Sequence, residues 1–272
     1  MITYQLFEVG HCLHCERMTL QTGKLKLVQY PALCALIHHP KYGYILFDTG
    51  YSERFQEATQ HFPESLYRFL TPVTVHQPLR AQLLNINIKP EQINYIIVSH
   101  FHADHIGGSH DFPRATFIVH TQALEDIEQK KGLKALLAGF LPALLPDNFK
   151  KRTRALYQHT TLPKKLMPFT KGFDIFGDQT LFAVPLPGHA KGQIGLYVEA
   201  KQPVFFIADS CWHQETFQSL ILPSKLTHLI LDDKKAYYET IKKLHQLHQH
   251  DPMLDIIPSH CQQARQKIFT SC

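Results

Sequence analysis

The sequence predicts an α+β fold in which strands come first, a helical interval follows and strands return. Three observations carry this reading. Short apolar, β-branched runs recur on both sides of residues 121–172, and that interval holds the leucine- and alanine-rich stretch 133–146. Several of the apolar runs end on a histidine or an aspartate, and no internal repeat breaks the series.

Residues 23–49 read as two or three β-segments that end at Asp48. The run Ile93-Asn94-Tyr95-Ile96-Ile97-Val98 reads as a buried strand that holds rigidly whatever follows it. Residues 180–184 read as another strand, leading through Pro185-Leu186-Pro187-Gly188 to His189. A third run, 202–208, ends in Asp209, and a fourth, 254–259, leads to His260. Between them lies a basic helix over residues 234–249, beside which His245, His248 and His250 read as surface residues.

The strand at 93–98 is followed by the densest chemical signal in the chain, His100, His102, Asp104 and His105 within six residues, leading to Gly107-Gly108. Residues two apart in an extended segment share a face, so His100 and His102 converge on one cation while Ala103 stays out of the way. Asp104 and His105 fall where the chain turns and serve a second position beside the first; the glycines allow that turn. Imidazole and carboxylate are ligands of borderline divalent metals. With His189, Asp209 and His260 the set reaches five histidines and two aspartates, enough for two adjacent cations and a bridging aspartate. Strand ends are where such ligands are held to the tolerance a metal requires.

Two further groups have weaker signals. His11-Cys12-Leu13-His14-Cys15 could open a structural zinc site, but a closed site needs four ligands and no second cysteine pair stands at suitable spacing. Cys211, close to Asp209, reads as a small packing residue, with a pocket thiol as the alternative.

The motif His-x-His-x-Asp-His, here His100, His102, Asp104 and His105, resembles that of the metallo-β-lactamase superfamily, and within it most the N-acyl-homoserine lactonase group. The segments 7–12, 31–37 and 44–50 follow the order seen in those lactonases; residues 123–172 match least. The resemblance implies a four-layer αβ/βα sandwich spanning 1–272 as one hydrolase domain, with about 121–172 as a helical, basic lid or interface insertion. It implies two divalent ions, zinc first, with manganese, iron or cobalt as alternatives. One takes His100, His102 and His189, the other Asp104, His105 and His260, and Asp209 bridges them. Asp48 is expected to orient a ligand histidine by accepting its remaining N–H; a local turn bond is the alternative. The 11–15 loop is expected to line the substrate pocket.

Two positions depart from the lactonase pattern. A tyrosine three residues after the bridging aspartate is replaced by Trp212, whose indole can donate a hydrogen bond but cannot act as a phenol acid. A frequent phenylalanine is replaced by Ala103, which implies a roomier or differently shaped pocket.

The implied reaction is hydrolysis. Water shared by two cations loses a proton near neutral pH, and the hydroxide opens an ester-like bond, a lactone first. Asp104 and Asp209 are the catalytic carboxylates, Asp104 also as proton carrier to the leaving group, and Trp212 contributes at most a hydrogen bond. Thioester hydrolysis of the glyoxalase II type and phosphodiester hydrolysis use compatible sites. A ligand-binding regulatory protein on the same fold is the non-enzyme alternative.

Composition bounds these readings. A core of 272 residues needs no staples, and no apolar run approaches the roughly 20 residues that span a bilayer. Residues 1–6 lack a basic n-region and a long apolar run, and six scattered cysteines suit a reducing compartment, so a cytoplasmic protein is expected. Residues 129–171 carry ten bases against Asp147 alone, a local net charge of +9 in a chain of +5, leaving −4 elsewhere. Such a patch would concentrate an anionic or acylated small-molecule substrate; solvated helix faces or a homodimer surface are equally open readings. No aromatic-and-basic strand motif supports nucleic-acid binding.

Overall fold

Period-two alternation of apolar side chains is realised as two sheets packed face to face. In this computed structural model the described residues are 1–269, so Cys272 and the last three positions of the expected domain lie outside them. Strands β1 (Thr3–Cys15), β2 (Leu27–His39), β3 (Gly43–Phe47), β4 (Val73–Thr74), β5 (Ile93–Ile97), β6 (Thr116–His120) and β7 (Thr153–Leu156) form one sheet, in the order β4-β1-β2-β3-β5-β6-β7. Strands β8 (Thr160–Thr161), β9 (Lys171–Asp174), β10 (Leu181–Pro185), β11 (Ile194–Val198), β12 (Val204–Ala208) and β13 (Asp255–Pro258) form the other, in the order β13-β12-β11-β10-β9-β8. β3, β5, β6 and β7 run parallel, as do β12 and β13. Strands that run parallel deliver their exits to a common edge, which is what a site built from strand ends requires.

Alternation decides which core each side chain enters. Leu33, Ala35, Ile37, Ile45, Phe47, Ile97 and Ile118 meet Leu181, Ala183, Leu196, Val204, Phe206 and Ala208 between the sheets. Their neighbours Cys34, Leu36, Leu46, Ile96, Phe117 and Val119 face outward into a second core. Phe182, Val184, Phe205 and Ile207 do the same on the other sheet. Sheets buried on both faces need covering layers. The helix Lys234–His250 covers one, sending Ile241, Leu244 and Leu247 inward at helical spacing, and Asp233 caps it by accepting the Ala236 N–H at 3.0 Å. The expected four-layer sandwich is the fold observed.

The interval 121–172 is less helical than expected. Helices Thr121–Glu128 and Leu133–Leu137 and two single 3₁₀ turns occupy its first part, but Thr153–Leu156 joins the first sheet and Thr160–Thr161 the second. β-strand pairing with β6 wins there because Arg152 ties the segment down, donating to the Phe112 and Ala115 carbonyls at 2.5 and 2.7 Å. Much of the positive charge is also spent locally. Lys130 pairs with Asp126, Lys150 with Glu128 and Lys165 with Glu199, while Arg154 donates to the Ile175 carbonyl. Among the described residues no helix is long and apolar enough to cross a membrane.

Phe117 is fully buried on β6, with the Phe149 ring at 4.9 Å and the Arg152 guanidinium over its face. Phe117→Ala should lower unfolding free energy by about 3–5 kcal/mol, read by denaturant titration; a loss under about 1 kcal/mol would mean this face is not close-packed.

Candidate metal centre

Every histidine and aspartate of the candidate set follows a strand exit at one edge of the sandwich. Asp48 follows β3; Ser99, His100 and His102 follow β5; His189, Asp209 and His260 follow β10, β12 and β13. Asp104 and His105 sit in the one-turn helix Ala103–Ile106. The two sheets are pinned at this edge by Ile194 N–H donating to the Ser99 carbonyl at 3.0 Å, and Leu33 N–H donating to the Ser259 carbonyl at 3.0 Å. Asp48 and Ala208, next to the ligands in chain or space, hold left-handed backbone with φ of 61° and 47°. Such conformations persist where surrounding structure enforces them. Gly188, just before His189, lies so close to the long helix that a Cβ there would come 2.2 Å from the Tyr237 Cα. Glycine is thus what lets the His189 loop pack beneath that helix, where the Asp232 N–H donates to the His189 carbonyl at 3.2 Å.

Two ligand groups form, and they share one residue. His100, His102, His189 and Asp209 bring one ligand atom each within 4.8 Å of one another, as do Asp104, His105, Asp209 and His260. His189 Nε2 stands 3.0 Å from His102 Nδ1 and 3.4 Å from Asp209 Oδ2. On the other side His260 Nε2 stands 3.0 Å from Asp209 Oδ2 and 3.1 Å from Asp104 Oδ2, and His105 Nε2 is 3.2 Å from Asp209 Oδ1. All seven sequence-predicted ligands are therefore brought together.

The residues present fit divalent cations. His100 Nε2, His105 Nε2 and Asp209 Oδ1 are buried and have no hydrogen-bond partner, an arrangement costing about 1–3 kcal/mol per group unless something satisfies it. Each of three histidines also has its other nitrogen engaged. His105 Nδ1–H donates to Asp48 Oδ2 at 2.7 Å, and His260 Nδ1–H donates to the Pro31 carbonyl at 2.8 Å. Ser99 Oγ–H donates to Asp48 Oδ2 at 2.7 Å and accepts from His100 Nδ1 at 3.0 Å. Those bonds fix tautomers that turn the Nε2 lone pairs inward. Asp48 also accepts the Ser99 N–H at 2.8 Å, so its partners are 51 or more residues distant and the local-turn alternative falls away.

Electrostatically the two halves differ. Burial pushes His100 well below its ordinary value and holds His102 at about 3, and it lowers His189 too, so the three-histidine half stays neutral. Burial also opposes charge on His105 and His260, but Asp104 and Asp209 outweigh it, raising His105 and taking His260 to about 10. Burial opposes charge on the carboxylates as well; the imidazoles around them nevertheless hold Asp104 at about 2 and Asp209 well below its usual range. Protons on two imidazoles thus balance the carboxylates, and cations binding there would displace them.

Trp212 is at the site, but its hydrogen bond is committed. Its Nε1–H donates to Asp209 Oδ2 at 3.2 Å, and its ring is walled in by His260, Tyr30 and His14 at centroid separations of 4.4, 5.0 and 5.5 Å. Behind Tyr30, Thr19 Oγ1 bonds both the Tyr30 hydroxyl and His213 Nε2, at 2.6 and 2.9 Å.

Other expectations divide. The 11–15 segment is the end of β1 and joins neither ligand group, while its His14 reaches the site. Cys211 is buried in the core beneath the second sheet. His245 and His248 are half-buried rather than surface residues: His245 donates to the Phe217 carbonyl at 2.7 Å and His248 stacks edge-on to the Phe217 ring. Ala103 is fully buried in the one-turn helix that carries Asp104 and His105. Four contributors went unseen in the sequence: Ser99, the Pro31 carbonyl, Tyr30 and Gly139. Gly139 follows the helix Leu133–Leu137 with φ of 68°, and a Cβ on it would stand 2.7 Å from His102 Cδ2. Phe140 beside it packs on Phe101, between His100 and His102, at 5.9 Å.

Two substitutions test this framing. Asp48→Asn should weaken metal binding by about 10–100-fold with the fold retained, measured by competition with a chelating dye; unchanged affinity would remove Asp48 from the support of His105. Gly139→Ala should lower metal affinity by pressing on His102, whereas Gly132→Ala, also at positive φ but with nothing within 4 Å of its Cβ, should not. Equal effects from the two would trace the loss to general strain in the segment.

Comparison with known proteins agrees with this architecture. A family model described as the metallo-beta-lactamase superfamily matches residues 28–206. The N-acyl homoserine lactonase AttM of Azorhizobium caulinodans is 26% identical over 212 residues, covering 74% of this chain and 73% of the relative. The probable metallo-hydrolase Rv2300c of Mycobacterium tuberculosis is 25% identical over 257 residues, covering 89% and 78%. A solved N-acyl homoserine lactone hydrolase, with N-hexanoyl-L-homoserine at its catalytic metal centre, superposes with a TM-score of 0.70 over 97% of this chain and 95% of that one, at 19% identity. With the fold, the strand-end ligand groups and the family model in agreement, the chain belongs to the metallo-β-lactamase superfamily.

Proposed function

We propose that the protein is a dinuclear-metal hydrolase that opens an ester-like bond, with a lactone such as an N-acyl-homoserine lactone as the substrate class. The observation that carries this is Asp209, one buried carboxylate within reach of both ligand groups. His100, His102 and His189 would hold one cation, Asp104, His105 and His260 the other, and Asp209 both; the nitrogen and oxygen donors suit zinc. When bound, such cations supply Lewis acidity toward a carbonyl oxygen and make water acidic enough to react near neutral pH.

The chain's own residues do the rest. Asp48, Ser99 and the Pro31 carbonyl hold the imidazoles in one orientation, and Trp212 holds Asp209. Asp104, buried and flanked by His260, is positioned to carry a proton toward a leaving group. Gly139 and Phe140 against the 100–102 segment support a lid role for the 121–172 insertion. The lactonase and metallo-hydrolase relatives favour this reading over a binding protein.

Elemental analysis coupled to hydrolysis assays tests it. Near two metals per chain are expected, with chelator-sensitive opening of acyl-homoserine lactones; thioester or phosphodiester cleavage instead would keep the site and change the substrate. His102→Ala and Asp209→Asn should each remove metal and hydrolysis together, by about a hundredfold or more in turnover, while circular dichroism shows the fold retained. Full activity in either variant would overturn the site assignment.

A further inference from the structure

Trp212 leaves one chemical function unassigned. The hydrolysis proposed above gives the carbonyl oxygen to the cations and the leaving group to Asp104; a side-chain donor to the substrate would add to these, and the Trp212 indole N–H is already given to Asp209. Donors aimed at the reacting oxygens are among the larger contributions to acyl transfer.

His14 stands beside the indole. Its ring centroid lies 5.5 Å from that of Trp212, which in turn lies 4.4 Å from His260, so His14 is one ring removed from the candidate metal ligands. It is half-buried, and neither of its ring nitrogens has a hydrogen-bond partner among the described residues. Its backbone is fixed: β1 pairs His14 with Val28 of β2, and Cys12, two residues earlier on the same face, is buried in the core below. The charges of His260 and Asp104 both act on it. A neutral imidazole offers one N–H donor and one acceptor nitrogen. A rigidly mounted donor with no protein partner, at the rim of the ligand cluster, is free to meet a substrate.

We propose that His14 hydrogen-bonds the substrate oxygen adjacent to the bond being cleaved, a donor that Trp212, committed to Asp209, does not offer. The substrate it selects is an ester whose acyl or leaving portion presents an acceptor oxygen beside the ester group. This rests on the ester-hydrolase reading above.

The test uses full-length protein reconstituted with zinc, N-hexanoyl-L-homoserine lactone as substrate and its ring-opened product as a binding probe. Three proteins are compared: wild type, His14→Phe and His14→Gln. His14→Phe keeps a ring and loses the N–H; it should lower kcat/KM by about tenfold or more and weaken product binding measured by calorimetry, with zinc content and thermal midpoint unchanged. His14→Gln, which restores an N–H donor, should recover most of the loss. A His14→Phe enzyme within about twofold of wild type, or one that loses zinc, would overturn the proposal while leaving the hydrolase reading intact. If wild type opens no ester or lactone, the reading beneath it fails first, and the proposal falls with it.

Discussion

The site depends on one buried carboxylate. Asp209 is 2% exposed and stands within 3.4 Å of imidazole nitrogens from His105, His189 and His260. An ionised carboxylate withdrawn from water is costly unless paired and hydrogen-bonded. Here the compensation comes from both halves of the molecule: His105 from the exit of the first sheet, His189 and His260 from exits of the second, and the Trp212 N–H from the loop beyond β12. The two sheets must meet at this edge for the carboxylate to be tolerated at all. Sandwich and site are therefore one constraint seen at two scales.

Three of the ligand histidines, His100, His105 and His260, are held from behind by a bond that the strand framework supplies. Asp48 reaches His105 because β3 and β5 run parallel and end together, which sets Asp48 beside Ser99. The Pro31 carbonyl reaches His260 because β2 continues past the exit of β13, where the Leu33 N–H also donates to the Ser259 carbonyl at 3.0 Å. The 121–172 interval adds a third support by laying Gly139 on His102. A ring pressed on one face by a backbone and bonded on its edge has little freedom left, which is what close metal geometry demands.

The strand runs that end in ligands were legible because a sheet buried on both faces writes itself as a near-continuous apolar run. The seven candidate ligands were legible because histidine and aspartate at strand exits are rare without a task. Supports were less so. Asp48 could be anticipated, but Ser99 is an ordinary residue before a histidine, and Pro31 acts through a carbonyl that any residue carries. Gly139 was invisible for a different reason: its effect is the absence of a Cβ next to a ring 37 positions earlier, a relation that exists only in the folded chain. The insertion was misread in its second half because Thr153–Leu156 is too short to show a period, and its pairing with β6 is decided by distant contacts. The half-buried His245 and His248 were misread likewise, since Phe217 approaches from another element.

The basic interval also changes meaning once folded. Ten positive side chains suggest a strong field over the site, yet Lys130, Lys150 and Lys165 each lie against a carboxylate. Arg152 and Arg154 spend donors on backbone carbonyls and lie over the rings of Phe117 and Phe176. Surface pairs of this kind add little stability, but they neutralise charge, and the field that steers an approaching anion depends on the net sum. The guanidinium contacts do more, because they anchor the interval to the first sheet at the level of β6 and β7. Much of the charge that looked like a recognition surface in the sequence is fastening in the structure. On the proposed reading, the walls nearest the carboxylates, where Trp212, Tyr30 and His14 stand, then matter more to substrate choice than long-range attraction.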